Sequence, residues 1–137
     1  MKKIVLCLLV LVSAIFASSI EVNVKNIVNK KGKISIGLYD KNDENFAKRD
    51  KNFKGIDMSI DSKTLTYIFE NIPDGTYAVA VFHDENQNKI LDKNFFGIPK
   101  EAYGFSNNIR PMFRGANFDE SKFVLKNKKK IIIKLVY

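Results

Sequence analysis

Residues 76–82, TYAVAVF, leave fewer folds open than any other part of this chain. Their β-branched and aromatic content reads as a strand. Tyr77, Val79 and Val81 fall on one side of it, and Ala78, Ala80 and Phe82 on the other. Both sides are apolar, so the strand is central, with something packed on each face. The two alanines point to a neighbour that comes close on their side. Just upstream, Ile72-Pro73-Asp74-Gly75 is a turn, in which Pro presets φ and Gly closes in the left-handed region.

The remaining periodic segments share the period of two that marks half-buried strands. Ile20, Val22 and Val24 alternate with Glu21, Asn23 and Lys25. After a Gly-containing turn at residues 29–33, Ile34, Ile36 and Leu38 alternate again, which predicts an antiparallel pair. Residues 41–54 are charged and read as a long loop pinned by Phe46 and Phe53. Ile56, Met58 and Ile60 form a third strand, and Leu65, Tyr67 and Phe69 a fourth. Residues 123–125 and 129–137 close the chain as strands around a turn at 126–128. No amphipathic helical period of useful length appears. Short strands divided by turn signals predict an all-β sandwich in one domain, residues 20–137.

Residues 1–19 read as a secretory signal peptide. Lys2 and Lys3 precede an apolar run of 13 residues, 4–16, followed by Ala17, Ser18 and Ser19. The run is shorter than the roughly 20 residues a bilayer span needs. Cleavage is expected after Ala17 or Ser19. Cys7, the only cysteine, lies inside the run and reads as one of its small hydrophobes. The processed chain thus has no disulfide and no thiolate. The full chain carries +8; without Lys2 and Lys3, 21 basic residues stand against 15 acidic, a net +6. Only three of the basic residues are Arg, which argues against nucleic acid as a partner and for weak attraction to anionic surfaces.

Residues 83–92, HDENQNKILD, leave the central strand. Asp84, Asn86, Asn88 and Asp92 hold positions one, three, five and nine of an EF-hand-type calcium loop, and Ile90 could offer its carbonyl at seven. Such a loop turns alternate side-chain oxygens onto one hard cation. Lys89 stands where the Gly of such loops belongs, a substitution costing roughly 1 kcal/mol in a left-handed backbone. Phe95 stands where the bidentate Glu belongs. The loop at residues 40–44, DKNDE, is a candidate second donor. The alternative reading is a run of Asx turns with no ion. His83, the only histidine, orients this loop or, with Asp84 or Glu85, serves a hydrolase.

Phe95, Phe96, Tyr103 and Phe105 then crowd a loop with two glycines, beside Asn107 and Arg110. They read either as a satellite hydrophobic cluster or as an exposed platform for a partner. Ser106 lacks the strand–Ser–helix elbow of a nucleophile. Five lysines from Lys126 to Lys134 make the last hairpin a solvated edge.

These stretches together resemble a known family. Ile72-Pro73-Asp74-Gly75-Thr76-Tyr77, Val81-Phe82-His83-Asp84-Glu85-Asn86, Leu91-Asp92, Phe96-Gly97-Ile98-Pro99-Lys100-Glu101 and Tyr103-Gly104-Phe105-Ser106-Asn107-Asn108 are similar to the domain-of-unknown-function family numbered 2141. The resemblance covers essentially all of residues 20–137. Members of that family are exported bacterial proteins and typically carry Gly at the positions of Gln87 and Lys89. The Pro-Asp-Gly-Thr-Tyr turn also resembles transthyretin-like (prealbumin-like) and collagen-binding-type-B sandwich domains. The resemblance implies a Greek-key sandwich of about seven strands and implies no catalytic residues.

Together the expectations are as follows. The chain is a periplasmic or secreted, non-enzymatic binding or structural module of the bacterial envelope, calcium-stabilised at the 84–92 loop. After processing it is not an integral membrane protein. Its partner is an envelope protein, a glycan or a lipid headgroup. The rivals are an envelope-assembly subunit with no small ligand and a hydrolase built on His83.

Overall fold

A computed structural model describes residues 18–137. Of the expected signal peptide, all but Ser18 and Ser19 lies outside the described residues. Those two belong to the domain: Ser18 donates its hydroxyl to Asp74 and accepts at its carbonyl from the Ile72 amide, and Ser19 opens the first strand.

The strands are β1 (Ser19–Lys25), β2 (Lys33–Tyr39), β3 (Lys54–Ser59), β4 (Leu65–Phe69), β5 (Gly75–Asp84), β6 (Tyr103–Phe105), β7 (Phe123–Leu125) and β8 (Lys128–Lys134). A single turn of helix, α1, spans Phe118–Ser121. One sheet has the order β4-β1-β8; the other has the order β3-β2-β5-β6, with β7 pairing farther along β5. The fold is all-β, in two sheets.

The expected β1–β2 hairpin does not form. β1 pairs antiparallel with β4 and parallel with β8, while β2 pairs with β3 and β5. The reason lies in residues 26–32. Asn26 turns left-handed at φ 67° and Ile27 is buried, so the connection arches over the end of the core and carries the chain into the other layer. A period of two reports which face a strand buries, not which strand it pairs with. The inner faces match the alternation read from the sequence. Ile20, Val22, Val24, Leu65, Phe69, Ile131 and Ile133 from one sheet meet Ile34, Ile36, Leu38, Tyr77, Val79 and Val81 from the other.

β5 is central and its inner face is buried, but its outer face is covered only in part: Ala78 is buried, whereas Ala80 and Phe82 are half-buried. On its outer face Ala78 lies in a small second cluster with Tyr39, Phe46 and Phe118. Phe118 is delivered by α1, whose capping box joins Asn117 and Glu120 in both directions. Asn117 and Glu120 carry that signal in the sequence, but one helical turn has no period to detect. β6, at three residues, is equally short of a pattern, so eight strands form where about seven are expected.

Candidate functional site

The outer face of the larger sheet presents Ser35, Gly37 and Tyr39 from β2, Ala78, Ala80 and Phe82 from β5, and Tyr103 and Phe105 from β6. Register places Gly37 beside Ala80 and Ala80 beside Phe105. Two small residues side by side remove the ridge that side chains normally build there. A methyl group on Gly37 would sit 2.8 Å from the Tyr39 ring, so no larger residue fits without moving it. The result is a trough of about 1320 Å³ floored by Ser35, Gly37, Ala80 and Phe82.

Loops raise its walls. β2 and β5 are antiparallel, so residues 40–53 rise at the Tyr39/Ala78 end and residues 85–101 at the Lys33/Asp84 end. Residues 111–116 close the side beyond β6. Ile90, Phe96, Ile98, Met112 and Phe113 all line the trough and are all exposed, the last at 93% and Phe96 at 83%. Exposed apolar side chains gathered in one place make this trough the candidate contact surface.

The 84–92 loop is built on Asx turns. Asn86 Oδ1 accepts from the Asn88 amide at 3.2 Å, and Asn88 Oδ1 from the Ile90 amide at 3.0 Å. Both side-chain amides donate to Asp92, at 2.6 Å from Asn86 and 2.9 Å from Asn88. Asp84 Oδ2 accepts from the Lys89 amide at 2.8 Å. Asp84 Oδ1 is buried and has no partner. Gln87 and Lys89 adopt left-handed φ of 57° and 65°, so the tight geometry survives at both positions where glycine is the usual choice. Asn86, Asn88 and Asp92 are therefore joined side chain to side chain, while Asp84 holds the same loop through the Lys89 amide, with Ile90 in the same turn. Among the described residues no group of three or more His, Cys, Asp or Glu side chains forms a metal-holding cluster. The oxygen set here is two carboxylates and two amides, suited only to a hard cation. The expected second donor at residues 40–44 is ruled out by topology, because it leaves β2 at the far end of the sheet from Asp84.

Glu101 is the residue sequence reasoning missed. It is buried, and its carboxylate grips the loop at both ends, accepting from the Glu85 amide at 3.0 Å and the Asp92 amide at 3.1 Å. A lone Glu sixteen residues from its partner gives no local signal.

His83 is fully buried and does not line the trough. Nε2 lies 2.6 Å from the Lys31 carbonyl, which can only accept, so Nε2 carries the proton. Nδ1 then accepts from the Tyr137 hydroxyl at 2.7 Å. Glu85 is 3.9 Å away, beyond hydrogen-bond reach. Both nitrogens are committed to tying the last residue and the 31–32 turn to β5, leaving none for proton transfer.

The expected partner surface divides. Phe96, Tyr103 and Phe105 line the trough. Phe95 stands beside it, 97% exposed and edge-on to Phe96. Asn107 instead donates to the Glu120 and Lys122 carbonyls, and Arg110 to the Lys134 carbonyl on another face. Both side chains thus satisfy backbone carbonyls of neighbouring segments, which would otherwise lack protein donors. Arg114 makes a bidentate pair with Glu120 at 2.7 and 2.8 Å, and that guanidinium, with the Asn117 amide, pulls the Glu120 carboxyl down to about 2.

No helix among the described residues is long and apolar enough to cross a membrane. The sequence profile of one family, described as an uncharacterized protein conserved in bacteria (domain-of-unknown-function family 2141), matches residues 22–133. Neither a curated protein nor a solved structure matches the chain significantly.

Proposed function

The chain belongs to domain-of-unknown-function family 2141, and from that premise we propose that it is an exported, non-enzymatic binding module of the bacterial envelope whose ligand lies in the outer trough. The observation that carries this is the convergence of five exposed apolar side chains from two loops on one trough. The leader-like residues 1–19 support export. Ser18 clamps the turn at Asp74, which favours cleavage after Ala17 rather than after Ser19, and N-terminal sequencing of exported protein should begin at Ser18. The chain crosses between the two sheets after β1, β3, β4 and β7, and these crossings support a Greek-key, transthyretin-like reading of the sandwich. The test is titration with the uncharged fluorophore N-phenyl-1-naphthylamine. Ala80→Trp fills the trough floor and should abolish the fluorescence gain while the fold, read by circular dichroism, is kept. Equal binding by wild type and Ala80→Trp would overturn the trough as the site.

A second reading concerns the 84–92 loop, which we propose takes calcium. Its support is Asp84 Oδ1, a buried carboxylate oxygen without a partner on the very side chain that begins the ligand spacing. A bound cation would satisfy that oxygen and stiffen the wall that carries Ile90, Phe96 and Ile98.

A further inference from the structure

The charge lining the trough is uneven along its length. At the end walled by residues 40–53, Lys48 and Asp50 offset each other and Arg49 is paired with Asp57. Arg114 is likewise taken up by Glu120. At the end walled by residues 85–101, Lys89 and Lys93 line the trough and no carboxylate lines it with them. Neither lysine is in an ion pair among the described residues. Asp92, close in sequence, is already engaged by the amides of Asn86 and Asn88.

Between the two ends the floor is apolar and smooth. It is the face of a sheet, so its backbone groups are spent in the ladder and offer nothing to a peptide. Few polar side chains reach it, Ser35 and Tyr103 among them, which is poor provision for a sugar. From Ala78 to Asp84 the strand runs roughly 20 Å at about 3.3 Å per residue, enough for an extended acyl chain.

Resting on the trough reading above, we infer that the ligand is a single-chain anionic amphiphile of the fatty-acid class. Its carboxylate sits at Lys89 and Lys93. Its hydrocarbon lies over Gly37 and Ala80 and ends among Phe46, Phe105 and Phe113. Hydrocarbon burial supplies the affinity, and the lysine pair sets the direction and the preference for negative charge.

Competition against N-phenyl-1-naphthylamine tests this on the processed chain, residues 18–137. Dodecanoate should displace the fluorophore at a concentration at least tenfold lower than dodecyltrimethylammonium. Lys89→Gln with Lys93→Gln should weaken dodecanoate at least fivefold and leave the uncharged fluorophore's affinity unchanged. Lys126→Gln with Lys128→Gln, an equal charge change on the distant hairpin, should leave both unchanged. Equal displacement by the two amphiphiles, or an equal loss from both lysine pairs, would overturn the anionic head while leaving the trough standing. Failure of the fluorophore to bind wild type would instead sink the trough itself.

Discussion

Calcium should raise the melting temperature of residues 18–137, and the size of the rise follows from the loop. The ligand spacing includes only two carboxylates, Asp84 and Asp92, and the bidentate twelfth ligand is replaced by Phe95. Asp92 is also drawn on by both asparagine amides, at 2.6 and 2.9 Å, so the ion must compete for it. A site this depleted belongs at the weak end of extracellular modules, with a dissociation constant of about 1 mM. At 10 mM calcium, RT ln(1 + [L]/Kd) is then about 1.4 kcal/mol. With about 2.1 cal/mol/K of unfolding entropy per residue, residues 18–137 have roughly 0.25 kcal/mol/K, and the expected rise is about 5–6 °C. Magnesium, which demands a small octahedral site, should give much less and controls for ionic strength. Asp84→Asn with Asp92→Asn should abolish the calcium rise. In chelator the Asp84→Asn change should be mild, because an amide oxygen can still accept from Lys89 and Oδ1 has no partner to lose. The assay is differential scanning fluorimetry in chelator, calcium and magnesium. No rise at 10 mM calcium, or the same rise in the double variant, would refute the site and leave a run of Asx turns.

Three further outcomes are expected. Lys89→Gly should stabilise the protein by about 0.5 kcal/mol in a urea melt, since relief of a left-handed side chain exceeds the entropy glycine adds to the unfolded chain; a loss of stability would mean that Lys89 is not strained. Ser106→Ala should cost about 2–4 kcal/mol, because its hydroxyl serves the Val79 amide at 3.0 Å and the Ser121 carbonyl in the gap where β5 pairs with neither β6 nor β7; the change in urea midpoint measures it. Glu120 has a folded value below its unfolded one, so its contribution is present above the ordinary carboxylate range and is lost progressively as pH falls from there through about 2. A carboxyl NMR titration should show that midpoint, and Arg114→Ala should move it up toward the usual value.

Burial faces were legible in the sequence because a strand's period of two is local. Tyr77, Val79 and Val81 are inward, and Ala78 is capped closely by Phe118, as its size implied. Pairing was not legible, since nothing in residues 26–32 states whether the arch returns to the same sheet or crosses to the other. The same division governs the site. Asp84, Asn86, Asn88 and Asp92 could be read because their spacing is a property of one loop. Glu101, which fastens that loop at both ends, could not, because its role exists only after β6 returns beside β5. The trough is the extreme case. Gly37 and Ala80 are unremarkable 43 positions apart, yet register sets them side by side and so deletes a ridge from the sheet. The exposed rings of Phe96 and Phe113 acquire a meaning only across that missing ridge. A cavity is made by absences on several strands at once. A sequence shows each small residue, but only the pairing shows that they coincide.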